Sequence, residues 1–444
     1  MKFFKKNTEE NRDENVVTSS FLYGVYDIFQ TDTNGVFLVI GKVNGTANLG
    51  DAFYIVNPGE DDEEMLLTTI DSIEINKQRV QQATNCLAAF KINIGNNKSI
   101  IRRGTIFFTK DQSMEAVHKK YVDTLGDVFI LQKKLMLDDK EWAQLTIADC
   151  AEILRLAQWF DNKVQPNSIE KEKFDKLIDW LCKKIINAKE IYCLMNKDTG
   201  EAHMFSRVIS YPDGKYECSS PSILVFTKSY IPAIENAFTK DKFDIKKIQN
   251  TENNKEIYNF LGNAFYLNGA CNVQVCSQDV EIKRERLVPA PDYSNLPKVN
   301  IPVTNPNLVR WLLLIGQLDK VESEKEKLVY SLYYDFMCKE LLKAEFLIPM
   351  KKIKDIESEN GNSNVTFNKD TTIELAMMKG KNNRLAVKMY TDWKRMSLEF
   401  DKKEYSGIIQ NIADVINKYD CVINVTEHYK AGCYVSKEMF ENIK

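Results

Sequence analysis

The stretch CKELLKAEFLIPM, Cys338 to Met350, reads as the end of an amphipathic helix that runs through Lys343 and Ala344 into a short apolar strand, Phe346–Ile348. An earlier stretch, CKKIINAKEIYCLM, Cys182 to Met195, reads the same way. Cys182, Lys183, Glu190 and Met195 match Cys338, Lys339, Glu345 and Met350, with one residue inserted between them. One such match has little weight, so the decisive point is whether the following segments repeat as well.

They do, in order. After the strand Ile191–Met195 come a hairpin signal at Pro212-Asp213-Gly214 and the apolar run Ser222–Tyr230. After Phe346–Met350 come the loop Glu357–Asn364, a strand Thr372–Met378, Gly380 and the run Arg384–Trp393. Val225-Phe226-Thr227-Lys228 matches Met389-Tyr390-Thr391-Asp392 in position and character. Helical stretches follow in each, Ile231–Phe238 with Met396–Phe400, then Lys255–Gly262 with Gly407–Lys418. Each closes on a Cys-x-x-x-Val strand, Cys271–Val275 and Cys421–Val425. The pattern predicts two copies of one α/β module, at 169–286 and 308–444. Between them, 287–307 carries five of the eleven prolines and reads as an extended linker.

The region ahead of the copies has another period. Residues 1–20 are polar and charged and predict a flexible tail. Short β-rich runs then follow at Phe21–Gln30, Gly35–Val43, Ala52–Val56, Leu66–Ile75, Cys86–Ile92 and Thr105–Phe108, with a hairpin signal at Asn34-Gly35. Six strands at this spacing predict a small closed barrel over 21–110. Gly41 is expected to permit a bend within a strand and Gly50-Asp51 to turn into the next. From 111 to 168 helical spacing takes over, with Leu145, Ala148, Ala151, Ile153, Leu154 and Ala157 on one stripe and Thr146 as its cap; this segment reads as a helical connector. The fold class is therefore multi-domain α+β.

Bulk composition narrows the function. Net charge is −3 over 444 residues, so no global field draws the chain to nucleic acid or anionic lipid. The most apolar run, Trp311–Ile315, is far short of a membrane span, and the first residues lack the apolar core of a signal peptide. Ten cysteines without a CxxC pair read as reduced thiols. A cytoplasmic protein without a membrane partner is the expectation.

Catalytic signatures are missing. The chain has no GxSxG, HExxH or GxxxxGK[ST]. His118, His203 and His428 stand far apart with no second ligand at metal spacing, and Cys271 and Cys276 are expected on opposite faces of one strand. No catalytic residue, cofactor or metal is assigned. The candidate binding corner is Thr391-Asp392-Trp393, at the end of a strand, where open α/β sheets tend to bind ligands. The alternative is a helix cap, Asp or Thr accepting from the next helix while Trp393 fills the corner. Glu60-Asp61-Asp62-Glu63-Glu64 reads as a solvated hairpin tip or as a docking loop for a basic partner. Tyr333, Tyr334 and Phe336, at helical spacing, read as core or as a partner-facing patch.

Two resemblances follow from these residues. Tyr26–Phe29, Gly41 to Asp51, Thr68 to Ile75 and Arg103-Gly104 make the first domain similar to the second domain of elongation factor Tu and related translation GTPases. The family places a glycine where Ala83-Thr84-Asn85-Cys86 stands here, and Asn196-Lys197-Asp198-Thr199 lacks the final Asp of a guanine-specificity motif, so no GTP site is carried over. Ala344–Met350, Ala386–Trp393 and Val435-Ser436-Lys437-Glu438 make the last module similar to the N-terminal domain of the SseB family, of which the middle module is a degenerate copy with Lys228 and Ser229 for Asp and Trp. The resemblances imply a non-enzymatic binding protein or adaptor whose partner is a protein. The alternatives are a ribosome- or RNA-associated factor without a GTPase domain, and an enzyme with its site near Thr391–Trp393.

Overall fold

Alternating burial along Val36–Asn48, with Val39 and Val43 wholly enclosed and Lys42 and Asn44 exposed, is the signature of a strand with one face on a core. The computed structural model describes residues 19–30, 35–61, 65–95, 101–253, 255–277, 279–297, 300–318, 320–351, 375–380, 384–426 and 431–443. The chain divides into two compact units, Met1–Ile169 and Glu170–Lys444.

The first unit opens with eight strands, β1 (Phe21–Gln30), β2 (Val36–Asn48), β3 (Ala52–Val56), β4 (Leu66–Ile75), β5 (Gln78–Val80), β6 (Gln82–Thr84), β7 (Leu87–Asn93) and β8 (Ile106–Phe108). Antiparallel pairing runs β1-β8-β3-β4-β7-β2 and returns to β1, closing a barrel that leaves no edge among these strands. Tyr23 lies at its centre between Phe90, 4.4 Å away, and Phe107, 5.3 Å away, its hydroxyl directed at the carbonyls of Val39 and Ala88. Gly50 takes φ +83 as its turn requires. Opposite Gly41 the register of β1 shifts in a bulge, where Val25 pairs with Gly41 and Asp27 already with Ile40. Gly41 is needed because a Cβ there would lie 2.1 Å from the Gly24 carbonyl oxygen and 2.7 Å from the Tyr23 ring.

Three helices follow in this unit, α1 (Met114–Leu125), α2 (Asp139–Gln144) and α3 (Ile147–Trp159). Thr146 caps α3 in a reciprocal box with Asp149. They pack on the barrel: Thr124 of α1 covers Gly24, and Arg102 of the barrel pairs with the enclosed Asp149. Burial alone would raise the Asp149 carboxyl, but Arg102, the Thr146 N–H and the Tyr121 hydroxyl hold it below the usual range.

The second unit contains two sheets of one design. The first half runs α4 (Lys171–Ile186), β9 (Glu190–Asn196), β10 (Met204–Phe205), the hairpin β11 (Val208–Ser210) and β12 (Tyr216–Cys218), β13 (Ser222–Phe226), α5 (Ile231–Ala237), β14 (Phe243–Gln249), α6 (Glu256–Tyr266), β15 (Asn272–Val275), β16 (Glu281–Lys283) and α7 (Arg284–Leu287). The second half runs α8 (Pro306–Gly316), α9 (Glu324–Leu341), β17 (Glu345–Lys351), β18 (Met377–Lys379), β19 (Leu385–Met389), α10 (Trp393–Met396), β20 (Tyr405–Asn411), α11 (Ile412–Ile416), β21 (Asp420–Ile423), β22 (Cys433–Val435) and α12 (Lys437–Ile443). The first sheet is ordered β14-β9-β13-β15-β16. The second gives β20-β17-β19-β21-β22 once the bridge Leu347–Tyr390 joins its two parts.

The registers agree residue by residue. Tyr192 pairs with Phe226 as Leu347 does with Tyr390, Glu190 with Gln249 as Glu345 does with Asn411, and Met204 with Ile223 as Met377 does with Val387. Cys276 (φ 61) and Asn424 (φ 53) end the inner strands in the left-handed region, donating to Val225 and Met389 respectively, each at 2.9 Å. This register corrects the expected Cys-x-x-x-Val match by two residues: Asn272 is equivalent to Asp420, and Cys271 and Cys276 both lie outside β15. It also corrects the helix expected over Gly407–Lys418. Tyr405–Asn411 is a strand against β17, with Gly407 under Leu347 and Trp393, and only Ile412–Ile416 is helical. The helix expected at Met396–Phe400 instead ends at Met396. Asn34, the loop 357–364 and residues 372–374 lie outside the described residues.

In 287–307, Val303 is buried against Leu347, Tyr390 and Met396, and Pro306 opens α8 at its first turn. Phe336 stacks on Trp311 at 4.7 Å, and Tyr333 is enclosed. Among the described residues no helix is long and apolar enough to cross a membrane.

Candidate functional site

Thr391, Asp392 and Trp393 follow the end of β19, where the chain turns into α10. Asp392 accepts from the Arg395 N–H at 3.0 Å and thereby caps that helix. Its other oxygen pairs with the Arg395 guanidinium, and both side chains are almost wholly enclosed. The Thr391 N–H donates to Asn424 Oδ1 at 3.0 Å, and Asn305 Nδ2 donates to the Thr391 carbonyl at 2.8 Å. Trp393 joins the apolar cluster of Val303, Leu347, Tyr390 and Met396. The corner is therefore a capped joint with Thr391 and Asp392 hydrogen-bonded inside it.

Its reach extends through Arg395. The guanidinium donates to Asn268 Oδ1 at 2.8 Å, and Asn268 Nδ2 donates to Glu201 Oε2 at 2.8 Å. Glu201 also pairs with Lys394. These groups stand on a cleft of ≈ 650 Å³ between the halves of the second unit, with Thr199, Lys246 and Phe260 on one wall and Leu398, Glu399 and Thr426 on the other. Each carboxylate on the cleft is engaged, Glu201 as above and Glu399 by Lys388 and the Tyr390 hydroxyl. Such an arrangement suits retention of a polar ligand better than proton transfer, because a general base needs a carboxylate positioned toward substrate. Arg395, Asn268 and Glu201 had no signature in the sequence: Arg395 lies 127 residues from Asn268 and Asn268 lies 67 from Glu201, and an arginine in a Lys-Arg helix turn reads as surface.

Of the acidic run, Glu60 pairs with Arg102 at 3.3 Å. Asp61 is described, and Asp62, Glu63 and Glu64 lie outside the described residues. His428 does too. His203 stands edge-on to Phe205 and Phe243, and burial pushes its imidazole down to about 4, so it is neutral at physiological pH. Among the described residues no group of three or more His, Cys, Asp or Glu side chains is placed to hold a metal, and no disulfide joins any of the ten cysteines.

The first unit has a groove of its own, of ≈ 420 Å³. Two π-helical turns build it, Gly126–Gln132 after α1 and Phe160–Val164 after α3, and such turns are rare and frequent at functional sites. Lys133 and Gln165 close them by donating five residues back, to Val128 and Phe160. Apolar side chains stand exposed here: Leu131 is 54% exposed and Val164 50% on the two turns, and Trp159, the last residue of α3, 56%. Lys42, Asp123 and Asp127 line it too, as does the buried Lys120, which donates to Asn44 Oδ1 at 2.6 Å. Burial, with Lys42 nearby, pushes the Lys120 ammonium down to about 8, which leaves it charged at neutral pH. Trp159 lies outside the buried stripe of α3, and that displacement was the signal available in the sequence.

No protein-family model matches the chain, and no curated protein matches it. Among solved structures, it is similar to the translation elongation factor SelB of Methanococcus maripaludis in its apo form, at 24% identity and a TM-score of 0.18, over 21% of this chain and 20% of that one. The same factor with the GTP analogue GppNHp gives 24% identity and a TM-score of 0.18, over 24% of this chain and 22% of that one. The chain thus matches less than a quarter of the length of these structures. The barrel assignment rests on the strand pairings given above.

Proposed function

We propose that the protein is a non-enzymatic binding protein, an adaptor that grips a protein partner through the groove of its barrel unit. One observation supports this reading above the others: three large apolar side chains stand half exposed on one groove, Leu131 and Val164 on the two π-helical turns and Trp159 at the end of α3. Contiguous exposed apolar surface on a soluble domain marks a contact site, and an aromatic anchor with a charged rim is the usual anatomy of one. The shared sheet order of the second unit supports treating 169–286 and 308–444 as copies of one module. Their kinship with the SseB family rests on the residues quoted for it. An enzymatic role near Thr391–Trp393 has less support, since Asp392, Glu201 and Glu399 are all held in structural pairs.

An RNA-binding role has one observation in its favour, since the exposed Lys42 lines the same groove as the exposed Trp159 and bases stack on such rings. The test is a quantitative pull-down from cell extract with the full chain and with Leu131→Asp/Trp159→Asp. Both positions are exposed, so folding should change by no more than about 0.5 kcal/mol each. The expected result is a protein recovered by the first chain and lost with the second. Equal recovery by both, or recovery only of RNA whose binding weakens steeply with salt, contradicts the adaptor reading.

A further inference from the structure

Among the described residues, five buried side-chain polar atoms have no hydrogen-bond partner, and three of them, His203 Nδ1, Gln274 Oε1 and Gln317 Nε2, line one pocket of ≈ 330 Å³ in the second unit. Leaving a buried donor or acceptor unmet costs about 1–3 kcal/mol for each group, so a convergence of three calls for an explanation. The pocket is separate from the cleft at Arg395 and shares no lining residue with it.

The fold fixes how the two amides are presented. Gln317 follows α8, and the Met204 N–H donates to its Oε1 at 3.2 Å. Only an oxygen can accept that bond, so the NH₂ of Gln317 is the group left over. Gln274, in β15 and 6% exposed, donates through Nε2 to Ser222 Oγ at 3.0 Å, which leaves its oxygen over. Met204 and Phe205 pair directly with Ile223 and Ser222, so both amides are anchored to one two-residue ladder. Between them they offer one donor and one acceptor, and His203 adds a neutral ring nitrogen. Arg207 and Glu281 stand at the rim, of opposite sign, and give the site no net charge preference.

We propose that this pocket binds a small neutral molecule through its carboxamide group. The ligand's carbonyl accepts from Gln317 Nε2 and its N–H donates to Gln274 Oε1. A carboxylate meets the first requirement and fails the second, because it has no proton to donate and its charge would face the Gln274 oxygen. The volume matches the lower end of ordinary small-molecule sites.

The test uses benzamide and benzoate, near-isosteric probes that differ in this chemistry, titrated against the full chain by ligand-observed NMR. Saturable binding of benzamide, with benzoate at least about tenfold weaker, is expected, the factor reflecting the loss of one hydrogen bond. Gln274→Leu should weaken benzamide by about tenfold on the same grounds. If that variant does not fold, Gln317→Met makes the same comparison. Equal binding of the two probes, no saturable binding of either, as a pocket filled only by water would give, or unchanged affinity in the folded variants each overturns the proposal.

Discussion

Replacing Asp392 by alanine will destabilise the second unit by about 3–5 kcal/mol, the cost of removing one member of an enclosed ion pair. Asp392 has two roles at once: it caps α10 through the Arg395 N–H and neutralises the Arg395 guanidinium, which is 1% exposed. Alanine abolishes both, and the guanidinium loses its counter-charge while still contacting Asn268 and, 3.7 Å away, Glu201. The comparison with Asp392→Asn separates the two effects, because asparagine is a good cap without charge. Denaturant unfolding of the full chain measures the loss. Hydrogen exchange should place it in β17, β19 and α10. A change below about 1 kcal/mol, as exposed pairs give, would mean that the joint is solvated.

Gly41→Ala will destabilise the barrel by about 3 kcal/mol, the upper end of ordinary overpacking, because the obstacle is backbone. The added methyl would meet the Gly24 carbonyl oxygen at 2.1 Å, and the Tyr23 ring beside it is held between Phe90 and Phe107. Gly50→Ala is the instructive control. Nothing stands within 4 Å of its added methyl, but φ is +83, so its cost is conformational and about 1 kcal/mol. Unfolding of both variants, followed by the loss of barrel protection in hydrogen exchange, tests the ranking. Equal costs would assign Gly41 to backbone freedom after all.

The same two regions show what the sequence discloses. Six of the eight strands of the first unit were legible, because each contributes side chains to a shared apolar core, whereas the three-residue strands β5 and β6 were not. The cap at Thr146 was legible for a local reason, since a capping box is written within four residues. The strands Phe243–Gln249 and Tyr405–Asn411 were not, because each lies at a sheet edge and buries few of its side chains, so no alternation marks it. The pairing of Cys271 with Cys421 misled for a related reason: the chain lengths around the inner strand differ between the halves, and hydrogen-bond register, which sequence does not display, decides equivalence. The buried network from Asp392 to Glu201 depends on residues brought together from both halves of the second unit, so neither half announces it.

The adaptor reading is tested most directly by photocrosslinking in cells, with p-benzoylphenylalanine in place of Val164 in the groove and, as a control, of Tyr216, which is 46% exposed in the second unit. A discrete protein adduct is expected from position 164 and none from position 216. An adduct with RNA alone from 164, or no adduct there under conditions in which the chain is folded, would contradict it.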